Sequence, residues 1–96
     1  MKMKEEEGGV MCPVKKYPCE VITYSKDGRV YPLKFRYYAV DRARYVTVDV
    51  EKIHYVTIED KNGLKEQTYH LDGRRKRRKD RYTLYLDPRY KTWWVL

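Results

Sequence analysis

The sequence predicts an all-β domain: a small antiparallel barrel or rolled sheet of six or seven short strands, preceded by a disordered N-terminus. Three observations carry that prediction. Segments rich in Val, Ile, Thr and Tyr recur from Cys19 onward, as EVITY, VYPLKFRYY, RYVTVDV, IHYVTIED, KEQTYHL and RYTLYL. Two dipeptides between such segments, Asp27-Gly28 and Asn62-Gly63, accept the positive φ angles of a two-residue hairpin turn. No stretch keeps a helical period. At 96 residues the chain makes one domain, on the scale of an SH3 or OB module. Charged residues reach 38%, yet eleven Tyr and two Trp set in alternating order argue for a fold rather than for disorder.

Residues 1–18 read as a leader and residues 19–96 as the domain. MKMKEEEGG is charged, aperiodic and Gly-ended. A Glu-Glu-Gly-Gly run can be encoded by a purine tract containing AGGAGG, a ribosome-binding sequence, and Met11 follows at a workable spacing. The expectation is that residues 1–10 are a translated leader and that the native start is Met11; the alternative is an ordinary acidic tail. Glu6–Gly9 codons unable to spell that tract would remove the first reading.

The first hairpin has a definite register. A two-residue turn at Asp27-Gly28 sets Lys26 against Arg29, Tyr24 against Tyr31 and Ile22 against Leu33, with Phe35 and Tyr37 extending the inner face. Thr23, Lys34 and Arg36 take the outer face, as does Pro32, whose missing donor marks an edge or a bulge. The second turn sets Asp60 against Lys65, Val56 against Tyr69, His54 against Leu71 and His70 against Tyr55. It also sets Glu59 against Glu66, an unfavourable pair. Val46, Val48 and Val50 share a parity that His54, Val56 and Ile58 continue. Lys52 interrupts it, which predicts a bend or bulge near Glu51-Lys52. Tyr82, Leu84 and Leu86 form a further strand face beside Tyr69 and Leu71, joined through a long loop at 72–81. Asp87-Pro88 ends that strand. Trp93-Trp94-Val95 makes a short last one, with one Trp inward.

KDGRVYPLKFRYY, YVTVDVEKI, YTLYL and the closing WWV together resemble a group of small bacterial β-barrel-like proteins, mostly Gram-positive, that have no assigned function. The resemblance spans most of Cys19 to Leu96. It implies a bacterial, cytoplasmic protein and a barrel fold, and it carries over no functional residues. The group has a short turn where this chain has residues 73–81.

That segment, GRRKRRKDR, holds seven of the chain's 22 basic residues. The formal net charge is +8; without the segment 15 basic and 13 acidic residues remain, a balance of +2. A local cluster suits a polyanion. The functional reading is sequence-independent nucleic-acid binding, with Arg74, Arg75, Lys76, Arg77, Arg78, Lys79 and Arg81 on phosphates and Tyr82, Tyr85 and Tyr90 available for base stacking. A solvated, self-repelling loop would have the same letters, and so would a nuclear-localisation signal, which a bacterial origin disfavours. The alternative function is a protein-interaction module, or a homo-oligomer, that uses the strand edge at Pro32 or an outer face bearing Tyr38, Tyr45 and Tyr85.

Catalysis and metal binding are not expected. Asp41, Asp49, Asp72 and Asp87 are scattered, with no nucleophile beside a base. Cys12 and Cys19, with His54 and His70, match no zinc-ligand spacing, and no cofactor is implied. No apolar run approaches the ~18 residues of a membrane span, and no signal-peptide core is present. A cytoplasmic protein with reduced thiols is therefore expected.

Overall fold

The structure, a computed structural model, describes residues 16–96. The leader, the Met11 start and Cys12 lie outside the described residues. Asp27-Gly28 and Asn62-Gly63 form the turns their chemistry predicts, with φ angles of 53°, 76°, 56° and 83° in chain order. They join β1 (Tyr17–Lys26) to β2 (Arg29–Ala39) and β3 (Arg44–Lys61) to β4 (Leu64–Arg75). β5 (Arg78–Asp87) and β6 (Thr92–Val95) complete the meander. Each strand runs antiparallel to the next, and β6 returns to β1, so the sheet closes into a barrel. The first strand begins at Tyr17, two residues inside the predicted leader.

The first register holds as far as Thr23 and Pro32 and then breaks. Thr23 faces Pro32 but Ile22 faces Lys34, leaving Leu33 as the extra residue of a bulge. A bulge shifts the pleat by one residue and so exchanges inside and outside. Phe35 is 1% exposed, and Val21, Cys19 and Tyr37 pack with it. Ile22, Tyr24 and Leu33 are exposed instead of inward, and Pro32 is buried instead of outward. The continuous inner face expected through Ile22, Tyr24 and Leu33 is corrected accordingly.

Pro32 also marks an edge. Pairing of β2 with β3 runs only from Lys34–Asp49 to Ala39–Arg44. Ahead of Lys34, β2 has β1 as its one neighbour. A two-residue turn makes alternate residues aim their backbone groups away from the partner strand, here Val30 and Pro32. Pro32 has no N–H, and the Val30 carbonyl accepts the Tyr69 hydroxyl at 2.8 Å. This edge is blunted on both counts.

The third strand bends where predicted. Register shifts fall between Val50 and Lys52 and between Ile53 and Tyr55, so Glu51 and His54 are the extra residues. Ile53, not His54, therefore faces Leu71. Beyond Asp49 the strand leaves β2 and keeps only β4. Val56 and Ile58 share the face of Tyr69, yet they are 37% and 59% exposed, because they line an open groove of about 440 Å³ whose other side is Gly28 to Tyr31. Glu59 does face Glu66. Lys61 Nζ stands 3.9 Å from the first and 3.4 Å from the second, and the Tyr85 hydroxyl donates to Glu66 at 2.8 Å.

The core is Phe35, Ala39, Val46, Val48, Tyr69, Leu71, Leu84 and Val95. Trp93 is the inward tryptophan, 5.4 Å from the Tyr69 ring. Trp94 lies under Lys16 Nζ, 4.8 Å from it. Burial pushes the Cys19 thiol up to about 12. Among the described residues no helix is long and apolar enough to cross a membrane.

Candidate nucleic-acid interface

The long loop predicted at 72–81 is a regular hairpin. The fourth strand continues to Arg75, and the fifth starts at Arg78 after a two-residue turn. Asp72 faces Arg81, Gly73 faces Asp80, Arg74 faces Lys79 and Arg75 faces Arg78. Two of those pairs set like charges opposite each other, which alone would oppose strand pairing. Carboxylates on and beside the hairpin relieve them. Glu51, at the β3 bulge, accepts from Arg74 Nε and lies 3.7 Å from Lys79 Nζ. Asp80 takes Arg78 Nε at 2.9 Å. Asp72 takes Arg81 Nε at 3.1 Å on one oxygen and faces His54 Nε2 at 2.9 Å on the other.

These contacts hold the Glu51 and Asp72 carboxyls below their usual range. For Glu51 the hydrogen bond from Arg74 is the largest cause, with the charges of Arg74 and Lys79 adding to it against burial. For Asp72 the largest is the hydrogen bond from His54, followed after the opposing burial by that from Arg81. A depressed carboxyl stabilises the fold above its unfolded value, 4.5 for Glu and 3.8 for Asp, and that contribution is lost as pH falls through the lower folded value. The urea midpoint is therefore expected to fall below about pH 4. An Asp72→Asn variant should be less stable at neutral pH and show a shallower acid decline.

Arg75, Lys76 and Arg77 pair with no carboxylate among the described residues. They form the tip of the hairpin. In a meander every second connection falls at the same end of the barrel, so the β2–β3 connection lies beside this tip. That connection is a 3-10 turn, Val40–Arg42, closed by Ala43 at φ 52°. Two grooves flank the tip. The larger, about 600 Å³, is lined by Arg44, Tyr45, Val46, Thr47 and Arg75 to Arg78 and contains no acid. The smaller, about 430 Å³, includes Tyr17, Tyr37, Tyr82, Arg42, Arg75 and Arg78, with Asp41 and Asp80 among its other walls.

All seven predicted cations thus lie on one hairpin, but they divide into four tied to carboxylates and three at the tip. The predicted stacking tyrosines separate. Tyr82 points inward, edge-on to Phe35 at 5.3 Å, and borders the smaller groove. Tyr85 lies farther down the strand, opposite Trp94. Burial, then the bond to Glu66, pushes its hydroxyl up to about 12. Tyr90 belongs to the β5–β6 connection at the other end of the barrel, with the Arg89 guanidinium 5.6 Å from its ring. Tyr38 and Tyr45 are exposed as their parity predicts.

Arg42 and Arg44 join the site without having been anticipated. Their signal is DRAR between two strands whose connection shares an end with the basic run. The His54–Asp72 contact was also missed, because the bulge carries His54 out of its expected register. His70 stacks on Tyr55 at 4.3 Å. No group of three or more His, Cys, Asp and Glu able to hold a metal occurs among the described residues.

Fold and surface together define a closed six-stranded meander barrel with one strongly basic end. No protein family, curated protein or solved structure matches the chain.

Proposed function

We propose that the basic end binds the phosphate backbone of nucleic acid without reading sequence and without catalysis. One observation carries this: a groove with five cations, Arg44, Arg75, Lys76, Arg77 and Arg78, and no carboxylate in its walls. Arg suits phosphate because its planar fork donates paired hydrogen bonds. Such contacts supply affinity and orientation but no base readout. A bacterial cytoplasm, as the sequence resemblance implies, would supply the ligand.

The test is anisotropy titration against salt. If about four phosphates are engaged on duplex DNA, log K should fall against log salt with a slope of about −4. A variant with Arg75, Lys76 and Arg77 changed to Ser should lose about 2–3 of that slope while melting like wild type, since none of the three is tied to a described carboxylate. An absence of binding at low salt would sink the proposal.

The protein-docking alternative has its own observation. The β3 edge beyond Asp49 is unpaired on the β2 side and, unlike the edge at Pro32, contains no proline. It presents Val56 and Ile58. A sedimentation coefficient that stays constant with concentration would remove self-association from consideration.

A further inference from the structure

Resting on the phosphate reading, we propose that the basic end selects single-stranded over duplex nucleic acid, with Tyr45 as the platform for an unpaired base. Tyr45 is 63% exposed although two side chains brace it. Tyr38, its cross-strand partner, meets it edge-to-face at 5.2 Å between ring centroids. The Arg36 guanidinium lies 4.8 Å from the ring centroid, and Glu20 in turn accepts from Arg36 Nε at 3.1 Å. The ring is therefore positioned before any ligand arrives, which lowers the ordering cost of stacking on it.

Tyr45 also lines the acid-free groove, together with Arg75, Lys76 and Arg77. A base on the ring and its phosphate on the hairpin tip would use one groove at once. The smaller groove on the other flank of Arg75 and Arg78 carries further rings, Tyr37 and Tyr17, 5.8 Å apart. A strand crossing the tip meets aromatic, cationic and aromatic surface in turn. That order is useful to a single strand, whose bases are open to stacking, and idle to a duplex, whose bases are already stacked on each other.

The experiment measures binding of oligothymidine, oligouridine and a blunt DNA duplex, each of about 12 units, at fixed moderate salt. Wild type should bind both single strands more tightly than the duplex; the two single-stranded arms separate DNA from RNA. Tyr45→Ala should weaken single-strand binding about tenfold, leave duplex binding and the salt slope unchanged, and melt near wild type. Tyr45→Phe, which keeps the ring, should restore the affinity. Equal or tighter duplex binding, or an equal loss on all three ligands in Tyr45→Ala, would overturn this inference and leave the phosphate reading standing. Absence of binding to all three by wild type in low salt would overturn both.

Discussion

A Gly73→Ala variant is expected to lose about 2–3 kcal/mol of stability, a fall in Tm of roughly 10–20 °C for a domain this small. Gly73 is needed for space, not for an unusual backbone angle. It lies on the inner face between Val50 and Asp80. An added Cβ would press into Val48 Cγ1 and stand 2.9 Å from Tyr82 Cδ2. Val48, 0% exposed, has no room to yield, and the Tyr82 ring is held edge-on against Phe35. The strain would fall where the basic hairpin rests on the barrel. Thermal melting by circular dichroism measures it, and a variant melting within about 2 °C of wild type would show that the rim is loosely packed.

Leu84→Ala should cost about 3–4 kcal/mol, in the usual range for a leucine with no exposed surface. It would remove methyl groups from the centre of the core and leave a cavity among Tyr69, Leu71 and Val95. Ile58→Ala should cost under about 1 kcal/mol, although Ile58 shares a strand face with Val56 and lies across from the Tyr69 strand. The two variants, compared by urea unfolding, test where the core stops. Equal losses would mean that the far end of the β3–β4 hairpin is packed rather than exposed.

What was legible in the sequence was local. Asp27-Gly28 and Asn62-Gly63 announced their turns and, for several residues either side, their registers, because turn chemistry is decided within four residues. The bulges at Leu33, Glu51 and His54 were not legible in the same way. A bulge is a relation between two strands, and only Pro32 and the polar interruption at Lys52 hinted at two of them. The basic run was conspicuous, but its conformation was not. Seven cations in nine residues read as a loop because their repulsion was visible, while Glu51, 23 positions from Arg74, was not visible as the group that offsets it. Arg42, Arg44 and Tyr45 join the tip only once the closed meander puts their connection at its side.

Lys76 has a consequence of a different kind. Two of the barrel's tight turns are built from Asp-Gly and Asn-Gly, residues at ease in left-handed conformations. The basic turn is Lys-Arg, and Lys76 nonetheless adopts φ 56°. Such a geometry costs a side chain bearing a Cβ roughly 1–2 kcal/mol. Turn formation alone would favour glycine at that position. A Lys76→Gly variant should therefore stabilise the hairpin while removing one tip cation, so that ease of turning and tip charge oppose each other at this apex.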